Sequence, residues 1–189
     1  MNCFRGILYL LLLIAPSLAY PQLTSDSLLM LDWYKQAVDF KHQRQYDSAW
    51  QYFERVHRIA KQEDWWLHYY KAEKQFARLL RDWQAQPFAA VEKLDSLIPQ
   101  AAAHLGPQEV ETGELYEARA NTYNQLGQYS LALQDYVQSL HIRRLNFGEL
   151  HQRVAASYLN LAPLFLRNQQ ARKAIRYADL ASAILQQDE

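Results

Sequence analysis

The side chains that could carry out chemistry in this 189-residue chain are six histidines, several acidic pairs and one cysteine. Histidine and carboxylate groups can hold a zinc ion or move protons, but each task requires a recognisable spacing. The sequence contains no H-E-x-x-H zinc spacing, no G-K-[ST] phosphate loop and no G-x-S-x-G nucleophile motif. It therefore predicts no metal, no cofactor and no enzymatic activity. The histidines are His42, His57, His68, His104, His141 and His151.

Simpler structural roles are expected for these candidate groups. His104 and His151 lie between predicted helical segments, where a structural hydrogen bond is the favoured role. The acidic pairs at 63–64 and at 109 and 111 fit solvated helix ends better than a catalytic carboxylate pair. Ser157 has no neighbouring pattern that would make it a nucleophile.

The balance of charge argues against two classes of partner. Twenty basic and twenty acidic residues give a formal net charge of +0, whereas proteins that bind nucleic acid or anionic lipid carry an excess of basic residues. Half of the residues are apolar, which is enough for a packed core. Three tryptophans lie outside the repeated aromatic positions and could instead stack on a carbohydrate or a nucleic-acid base: Trp65, Trp66 and Trp83.

Residues 1–19 have the pattern of a secretory signal peptide. Arg5 provides positive charge, residues 7–14 form a short apolar core, and Ser17 and Ala19 are the small residues expected before a cleavage site. The apolar run is about half of the roughly 20 residues needed to span a bilayer, so a cleaved signal is favoured over a retained membrane anchor. The sequence therefore predicts export to the periplasm or the extracellular space, without stable membrane insertion.

The only cysteine is Cys3, which precedes the apolar core. A lipoprotein signal would place a cysteine directly after that core, so lipid attachment is disfavoured. After removal of residues 1–19 the chain would contain no cysteine. Packing alone, without a disulfide or a cysteine-bound metal, would then hold the exported protein together.

Aromatic and small residues recur along the chain at fixed spacing. Four aromatic residues step by seven, six and seven residues, and a second set repeats the same steps 83 residues later. Both sets contain alanines in matching positions, and a partial third copy follows after another 42 residues. Self-similarity of this kind is typical of stacked repeats. The first set is Trp33, Ala37, Phe40, Tyr46, Ala49 and Phe53; the second is Tyr116, Ala120, Tyr123, Tyr129, Ala132 and Tyr136; the third is Tyr158, Ala162, Phe165, Ala171, Ala174 and Ala178.

Apolar residues around these positions follow the period of an amphipathic helix, interrupted by short polar breaks. The alanines would let two helices approach closely, and the aromatic residues would fill the space beside each crossing. A helical pair leaves one face uncovered, so neighbouring pairs must stack on it. The pattern predicts three helical pairs, 29–42 with 47–61, 113–126 with 130–143, and 154–167 with 171–187.

These positions resemble the tetratricopeptide repeat (TPR), in which aromatic and small residues alternate along two paired helices. The 42-residue step and the stretch 145–162 (LNFGELHQRVAASYLNLA) resemble the long repeats of kinesin light chains. Gln152 departs from the proline that is usual at its position in that pattern. The matching residues are Gly148, His151, Val154, Ala155, Ser157, Tyr158, Asn160, Leu161 and Ala162.

The resemblance implies an all-α fold, a right-handed superhelix of about four stacked helical hairpins. The second repeat lacks the aromatic–small–aromatic set in its first helix, and Pro87 replaces the tyrosine that begins the second helix, so its register is left open. Pro163 falls inside the first helix of the fourth repeat, where the missing backbone donor of proline is expected to kink the helix. A short irregular segment at 20–26 would precede repeats at 27–64, 65–110, 111–152 and 153–189.

The first helices of TPR arrays line a concave face, so the resemblance also implies a binding surface. Asparagine can bond a peptide backbone through its donor and its acceptor, and lysine and arginine can hold a carboxylate. This combination fits an extended peptide or the terminus of a protein partner, although an ordinary exposed polar face is the alternative for each residue. The predicted partner-binding residues are Tyr34, Lys35, Lys41, Asn121, Asn124, Asn160 and Arg167, with Val38, His42, Glu117 and Gln125 beside them.

Three functions are compatible with this pattern. The first is an exported scaffold that binds a protein or peptide partner on the concave face. The second is the non-catalytic sensor part of a larger protease, because long repeats behind a signal peptide are similar to the N-terminal arrays of CHAT-domain proteins. The third is self-assembly of the repeats. Ile175, Leu180, Ile184 and Leu185 of the C-terminal helix form more apolar surface than one neighbouring helix should cover, so the chain is expected either to be the front part of a longer array or to self-associate through this helix.

Overall fold

The computed structural model describes residues 25–186, which form eight α-helices. The predicted signal peptide at 1–19 lies outside the described residues, and so does most of the predicted irregular segment, whose last two residues already belong to the first helix. The helices are α1 (Ser25–His42), α2 (Tyr46–Gln62), α3 (Trp66–Asp82), α4 (Pro87–His104), α5 (Val110–Gln125), α6 (Tyr129–Phe147), α7 (Gln152–Arg167) and α8 (Ala171–Leu185).

The helices pack as four consecutive hairpins. Each helix contacts the next one along the chain, and α3 also contacts α5. All regular secondary structure between residues 25 and 186 is helical, which confirms the predicted all-α array of stacked hairpins. No helix in this part of the chain is long and apolar enough to cross a membrane.

Alanines form the close contacts within the hairpins, as their spacing predicted. Ala37 of α1 and Ala49 of α2 are fully buried, and so are Ala120 and Ala132 in the third hairpin. A side chain of one methyl group lets two helix axes approach, whereas a larger residue would force them apart. Phe53 is also fully buried and fills the space beside the first crossing.

Each hairpin closes through one residue in the left-handed backbone region. These residues are Arg44, Ala85, Gly127 and Gln169, with φ values from 54° to 75°. Only Gly127 adopts this conformation without steric cost, because the other three carry a Cβ atom. The next amide then returns to a carbonyl of the preceding helix, which reverses the chain and makes the two helices antiparallel.

The turn of the second hairpin is one residue longer than the others. In the other three hairpins the returning amide bonds a carbonyl five positions back, but Gln86 bonds Leu80, six positions back. Leu80 therefore stands where Phe40 and Tyr123 stand, and Ala77 takes the small-residue position. Ala77 is 1% exposed, as that position requires. The longer turn settles the register that the sequence left open.

Glu73 occupies the first aromatic position of the second repeat. Glu73 precedes the small residue Ala77 by four positions, as Trp33 precedes Ala37 and Tyr116 precedes Ala120. His57 Nδ1 of α2 lies 2.6 Å from its buried carboxylate, and Lys93 of α4 forms an ion pair with it. Burial opposes ionisation of Glu73, but hydrogen bonds from His57 and Lys93 outweigh burial and lower its pKa. Polar contacts among three helices thus replace an aromatic one.

The outer side of α8 differs in part from the sequence prediction. Ile184 is 4% exposed and belongs to the core shared with α7, so the prediction that it adds to the uncovered surface is wrong. It follows Ala181 by three residues and lies on the same inner stripe of the helix. Ile175, Leu180 and Leu185 are 62%, 37% and 43% exposed, as the sequence predicted.

Candidate binding groove

One cavity is lined by the first helix of every hairpin, α1, α3, α5 and α7. Its volume is about 330 Å³, and its walls include Tyr34, Leu67, Lys71, Glu114 and Arg153. One side of each of these helices therefore faces the same space. We call the face that α1, α3, α5 and α7 share the groove.

Positive charge gathers in the groove where α1 faces α3. Lys41 Nζ donates a hydrogen bond to Gln75 Oε1 at 2.8 Å, and Gln75 Nε2 donates to the Tyr34 hydroxyl at 3.3 Å. Burial and, after it, repulsion by Arg78 lower the pKa of Lys41 to about 8. Two further cations of α3 add to this repulsion. A bound anion would relieve it.

A buried ion cluster connects α3 with α5. Lys74, whose side chain is 3% exposed, pairs with Glu111 at 2.7 Å and also with Glu114. Burial raises the pKa of Glu111 by more than Lys74 lowers it. Burial also opposes ionisation of Glu114. In this case the charge and the hydrogen bond of Lys74 outweigh burial, so the pKa of Glu114 is lowered. One cation between two carboxylates thus ties the second repeat to the third.

A second cluster joins α5, α6 and α7. Arg143 donates two hydrogen bonds to the Glu117 carboxylate, at 2.9 and 2.7 Å, and one to the Ser157 hydroxyl at 2.8 Å. Asn160 Nδ2 donates to the same carboxylate at 3.0 Å. A bidentate arginine–carboxylate pair fixes the orientation of both groups. The charge of Glu117 is therefore satisfied inside the fold.

The groove retains positive charge after internal pairing. Its α5 carboxylates pair with cations of neighbouring helices. The side chains of Lys71 and Arg78 of α3, in contrast, form no hydrogen bond and no ion pair within residues 25–186. Both side chains are half-buried, so water screens their charge less than on an open surface. Unpaired positive charge therefore follows α3 along the groove.

Beyond Arg153, which lines the cavity, the wall formed by α7 is apolar. Leu159, Pro163 and Leu166 follow one another at intervals of four and three residues on its outward side. The two leucines are 49% and 62% exposed. Pro163 does not end the helix, which continues to Arg167. In the 42-residue register these three positions correspond to the polar positions 117, 121 and 124 of α5.

Solved structures share this arrangement of helices. BtubC (BKLC) from P. vanneervenii matches with a TM-score of 0.69 and 15% identity over 85% of this chain, which spans 65% of the length of that protein. The chain has a TPR-like helical-repeat fold. A candidate kinesin light chain of Podosopora anserina with nearly identical TPR-like repeats gives a TM-score of 0.66 at 19% identity, over 84% of this chain and 75% of that one. A single-residue variant of the latter gives 0.67 at 20% identity over the same shares. No protein-family model matches the chain, and no curated protein is significantly similar to it.

Four of the seven predicted partner-binding residues are partly buried and have hydrogen-bond partners inside the TPR-like fold. Gln75 hydrogen-bonds both Lys41 and Tyr34. Asn121 accepts a hydrogen bond from a tyrosine hydroxyl of α6 at 2.6 Å, and Asn160 donates to a carboxylate of α5. A ligand would have to replace these contacts, which lowers its net gain from each of them.

The other three predicted residues are exposed. The side chains of Lys35 and Asn124 form no hydrogen bond and no ion pair with any residue from 25 to 186. Arg167 donates a hydrogen bond to the Tyr129 hydroxyl at 2.5 Å and lies 4.9 Å from the centre of that ring. Lys35 and Asn124 are therefore the predicted residues whose polar side-chain atoms remain available to a partner.

Sequence reasoning missed the strongest features of the groove. Lys71 and Arg78 were overlooked because the register of the second repeat was open. Counted from Ala77, Arg78 holds the position of Val38 and Asn121. The apolar wall of α7 was overlooked because exposed leucines on an amphipathic helix are ordinarily assigned to its core side.

The tryptophans outside the repeated positions take part in packing. Trp66 stacks on His104 with 4.0 Å between ring centroids and 10° between ring planes. The ring centroids of Trp83 and Trp50 lie 6.4 Å apart, and Trp65 packs against the core of the first two repeats. These contacts give all three indole rings a role in packing.

The two histidines between helical segments make the structural hydrogen bonds that the sequence predicted. His104 Nδ1 lies 2.6 Å from the Tyr70 hydroxyl and links α4 to α3. His151 Nδ1 accepts a hydrogen bond from the Arg153 amide at 3.0 Å and caps the start of α7. Among residues 25–186, no group of three or more histidine, cysteine, aspartate and glutamate side chains could hold a metal ion.

Proposed function

We propose that this chain is an exported scaffold that binds a peptide segment of a protein partner in the groove of its TPR-like repeats. The observation that supports this most strongly is the cavity shared by all four first helices, since a segment lying there would contact every repeat at once. Many moderate contacts along such a surface can add up to useful affinity without one deep pocket.

The walls of the groove define the chemistry of the segment. Lys71 and Arg78 can each donate charge-assisted hydrogen bonds to a carboxylate. Leu159 and Leu166 can cover an apolar side chain, at about 25 cal/mol for each Å² removed from water. Asn124 can bond the peptide backbone through its donor and its acceptor. The expected ligand is therefore an extended segment that carries acidic residues and an apolar residue.

Selection from a random peptide library displayed against the purified chain would test this proposal. The groove variant combines Lys71→Gln with Arg78→Gln, and the matched control combines Lys61→Gln with Arg58→Gln on the exposed side of α2. We expect selected peptides to bind the groove variant about tenfold or more weakly, because each lost charged hydrogen bond costs about 1.5–3 kcal/mol. The control should bind as the parent does.

A second pair of variants tests the apolar wall. Leu166→Ser removes exposed apolar surface from the groove, whereas Leu150→Ser removes a similar amount from a leucine outside it, since the two are 62% and 65% exposed. Binding should weaken only in the first. Peptides that bind all four variants equally well, with thermal melts showing intact folds, would place recognition outside the groove.

Export needs a separate measurement, because residues 1–19 lie outside the described part of the chain. The mass of the protein recovered from the exported fraction should correspond to a chain beginning at Tyr20. A mass that retains residues 1–19 would contradict cleavage and leave peptide binding unaffected. The resemblance to the arrays of CHAT-domain proteins stays a prediction.

A further inference from the structure

A stripe of six residues lies on the uncovered side of α8. These residues line a shallow depression of about 500 Å³ on the side of the helix away from α7, and all of them are solvent-exposed. The apolar members Ile175 and Leu180 are 62% and 37% exposed. The stripe is separate from the groove. Its members are Arg172, Ile175, Arg176, Asp179, Leu180 and Ala183.

The stripe is complementary to itself when the helix direction is reversed. Spacings of three and four residues keep its members on one side of the helix. An antiparallel copy centred between residues 177 and 178 places Arg176 opposite Asp179, and Ile175 opposite Leu180. In a two-fold arrangement each of these pairs occurs twice. Every charge in these pairs meets its opposite, and every large apolar side chain meets another.

The position of Ile175 is covered elsewhere in the array. Counted from the start of each second helix, Ile175 corresponds to Trp50 of α2 and Leu133 of α6. Trp50 packs on Phe76 of α3 with 4.6 Å between ring centroids, and Leu133 packs against the core of the last two repeats. The repeat architecture thus shields this position with neighbouring side chains, and none within residues 25–186 covers it in α8.

The opposite end of the array offers a poor cover for this stripe. In α1, Asp32 and Asp39 are exposed, and Gln36 donates a hydrogen bond to Asp32 at 2.5 Å. These three positions correspond to residues 72, 76 and 79 of α3, where alanine, phenylalanine and leucine pack on α2 or the core around it. If α1 of another copy stacked on the stripe, the carboxylates of Asp32 and Asp39 would lose water against Ile175. This arrangement is therefore disfavoured.

We propose that two copies of this chain pair through α8, antiparallel about a two-fold axis, with Arg176 of each copy against Asp179 of the other. Ile175 of each copy packs on Leu180 of the other, on both sides of the central ion pairs. One helix pair buries less than the roughly 1,200 Å² of a standard interface, so the dissociation constant should be micromolar or weaker. The dimer leaves both grooves open, so it is independent of the proposed peptide binding.

Sedimentation velocity of the purified chain over a wide concentration range tests the interface through charge reversal. Arg176→Asp or Asp179→Arg alone places like charges opposite each other twice, and each should weaken the dimer about tenfold or more. The double variant Arg176→Asp with Asp179→Arg restores opposite charges on both sides of the axis and should recover the original dissociation constant. Glu54→Arg, at the position of Asp179 in α2, is the matched control and should have no effect.

Recovery of the dissociation constant in the double variant distinguishes a specific interface from a general effect of surface charge. The three altered side chains, Arg176, Asp179 and Glu54, are all exposed, so thermal melts should not change between variants. Recovery in the double variant supports the antiparallel pairing. A chain that stays monomeric up to millimolar concentration would overturn the proposal, and so would a dimer that is insensitive to the single variants or is not restored by the double variant.

Discussion

Replacing Lys74 by methionine should destabilise the fold, and by an amount that depends on pH. Methionine retains the apolar length of the side chain, so the main change is loss of the charge. Glu111, whose side chain is 3% exposed, would lose its cation at 2.7 Å and be left as an uncompensated buried carboxylate. Breaking a buried pair in this way costs about 3–5 kcal/mol. That is a large share of the roughly 5–15 kcal/mol that stabilises a typical domain.

The pH dependence follows from the pKa of Glu111. Burial already raises this pKa above its ordinary value of 4.5 in the folded state, and loss of Lys74 removes the charge that lowers it. A carboxyl group whose folded pKa exceeds its unfolded pKa binds a proton more tightly when folded, so the fold gains stability as pH falls. The cost of Lys74→Met should be largest near neutral pH and shrink toward pH 4.5.

Urea denaturation at neutral and weakly acidic pH measures this cost. Lys74→Met combined with Glu111→Gln removes the titrating group, and it should recover much of the stability and lose the extra pH dependence. Lys61→Met, on an exposed lysine of α2, should change the unfolding free energy by less than about 0.5 kcal/mol. A cost for Lys74→Met below about 1 kcal/mol, or one equal at both pH values, would refute the view that Lys74 neutralises a buried carboxylate.

Three further predictions concern packing, a turn and a titration. Ala132→Leu should cost about 1–3 kcal/mol in denaturation experiments, because Ala132 is 0% exposed at a helix crossing; an unchanged midpoint would contradict the repeat alignment. Ala85→Gly should stabilise the fold by about 0.5–1 kcal/mol, since Ala85 has a φ of 54°, and a loss of stability would show that this turn is unstrained. Lys41 should titrate near pH 8 by NMR. Its folded pKa lies below its unfolded pKa, so its contribution to stability should rise between pH 8 and 10.5, and a midpoint at 10.5 would contradict its burial beside Arg78.

The hairpins could be predicted from the sequence because their signals are local and repeated. Ala37 and Ala49 lie at the same spacing as Ala120 and Ala132, and all four are buried at crossings. The helical period can be recognised from the order of apolar and polar residues alone. Because this order recurs after 42 residues, it is not a chance pattern. The hydrogen-bonding roles of the two inter-helix histidines followed from the same alignment.

The second repeat was harder because its information is not local. Ala77 is one of several alanines in that region, and only the hydrogen bond from Gln86 to Leu80 shows which one lies at the crossing. Glu73 in an aromatic position has no sequence signal of its own. Its burial depends on His57 and Lys93, which are distant in sequence and come from two other helices.

The sequence by itself determined the all-α repeat architecture and three of the four helix pairs. Only the tertiary structure decided which charges remain available in the groove. Glu117 is satisfied by Arg143 of another helix, whereas Arg78 is left without an ion pair within residues 25–186. The tertiary structure also decided that Ile184 is buried and that Ile175 is exposed. The physical reason is that helix periodicity specifies a face, whereas ion pairing and burial depend on neighbours that are brought together only by packing between helices.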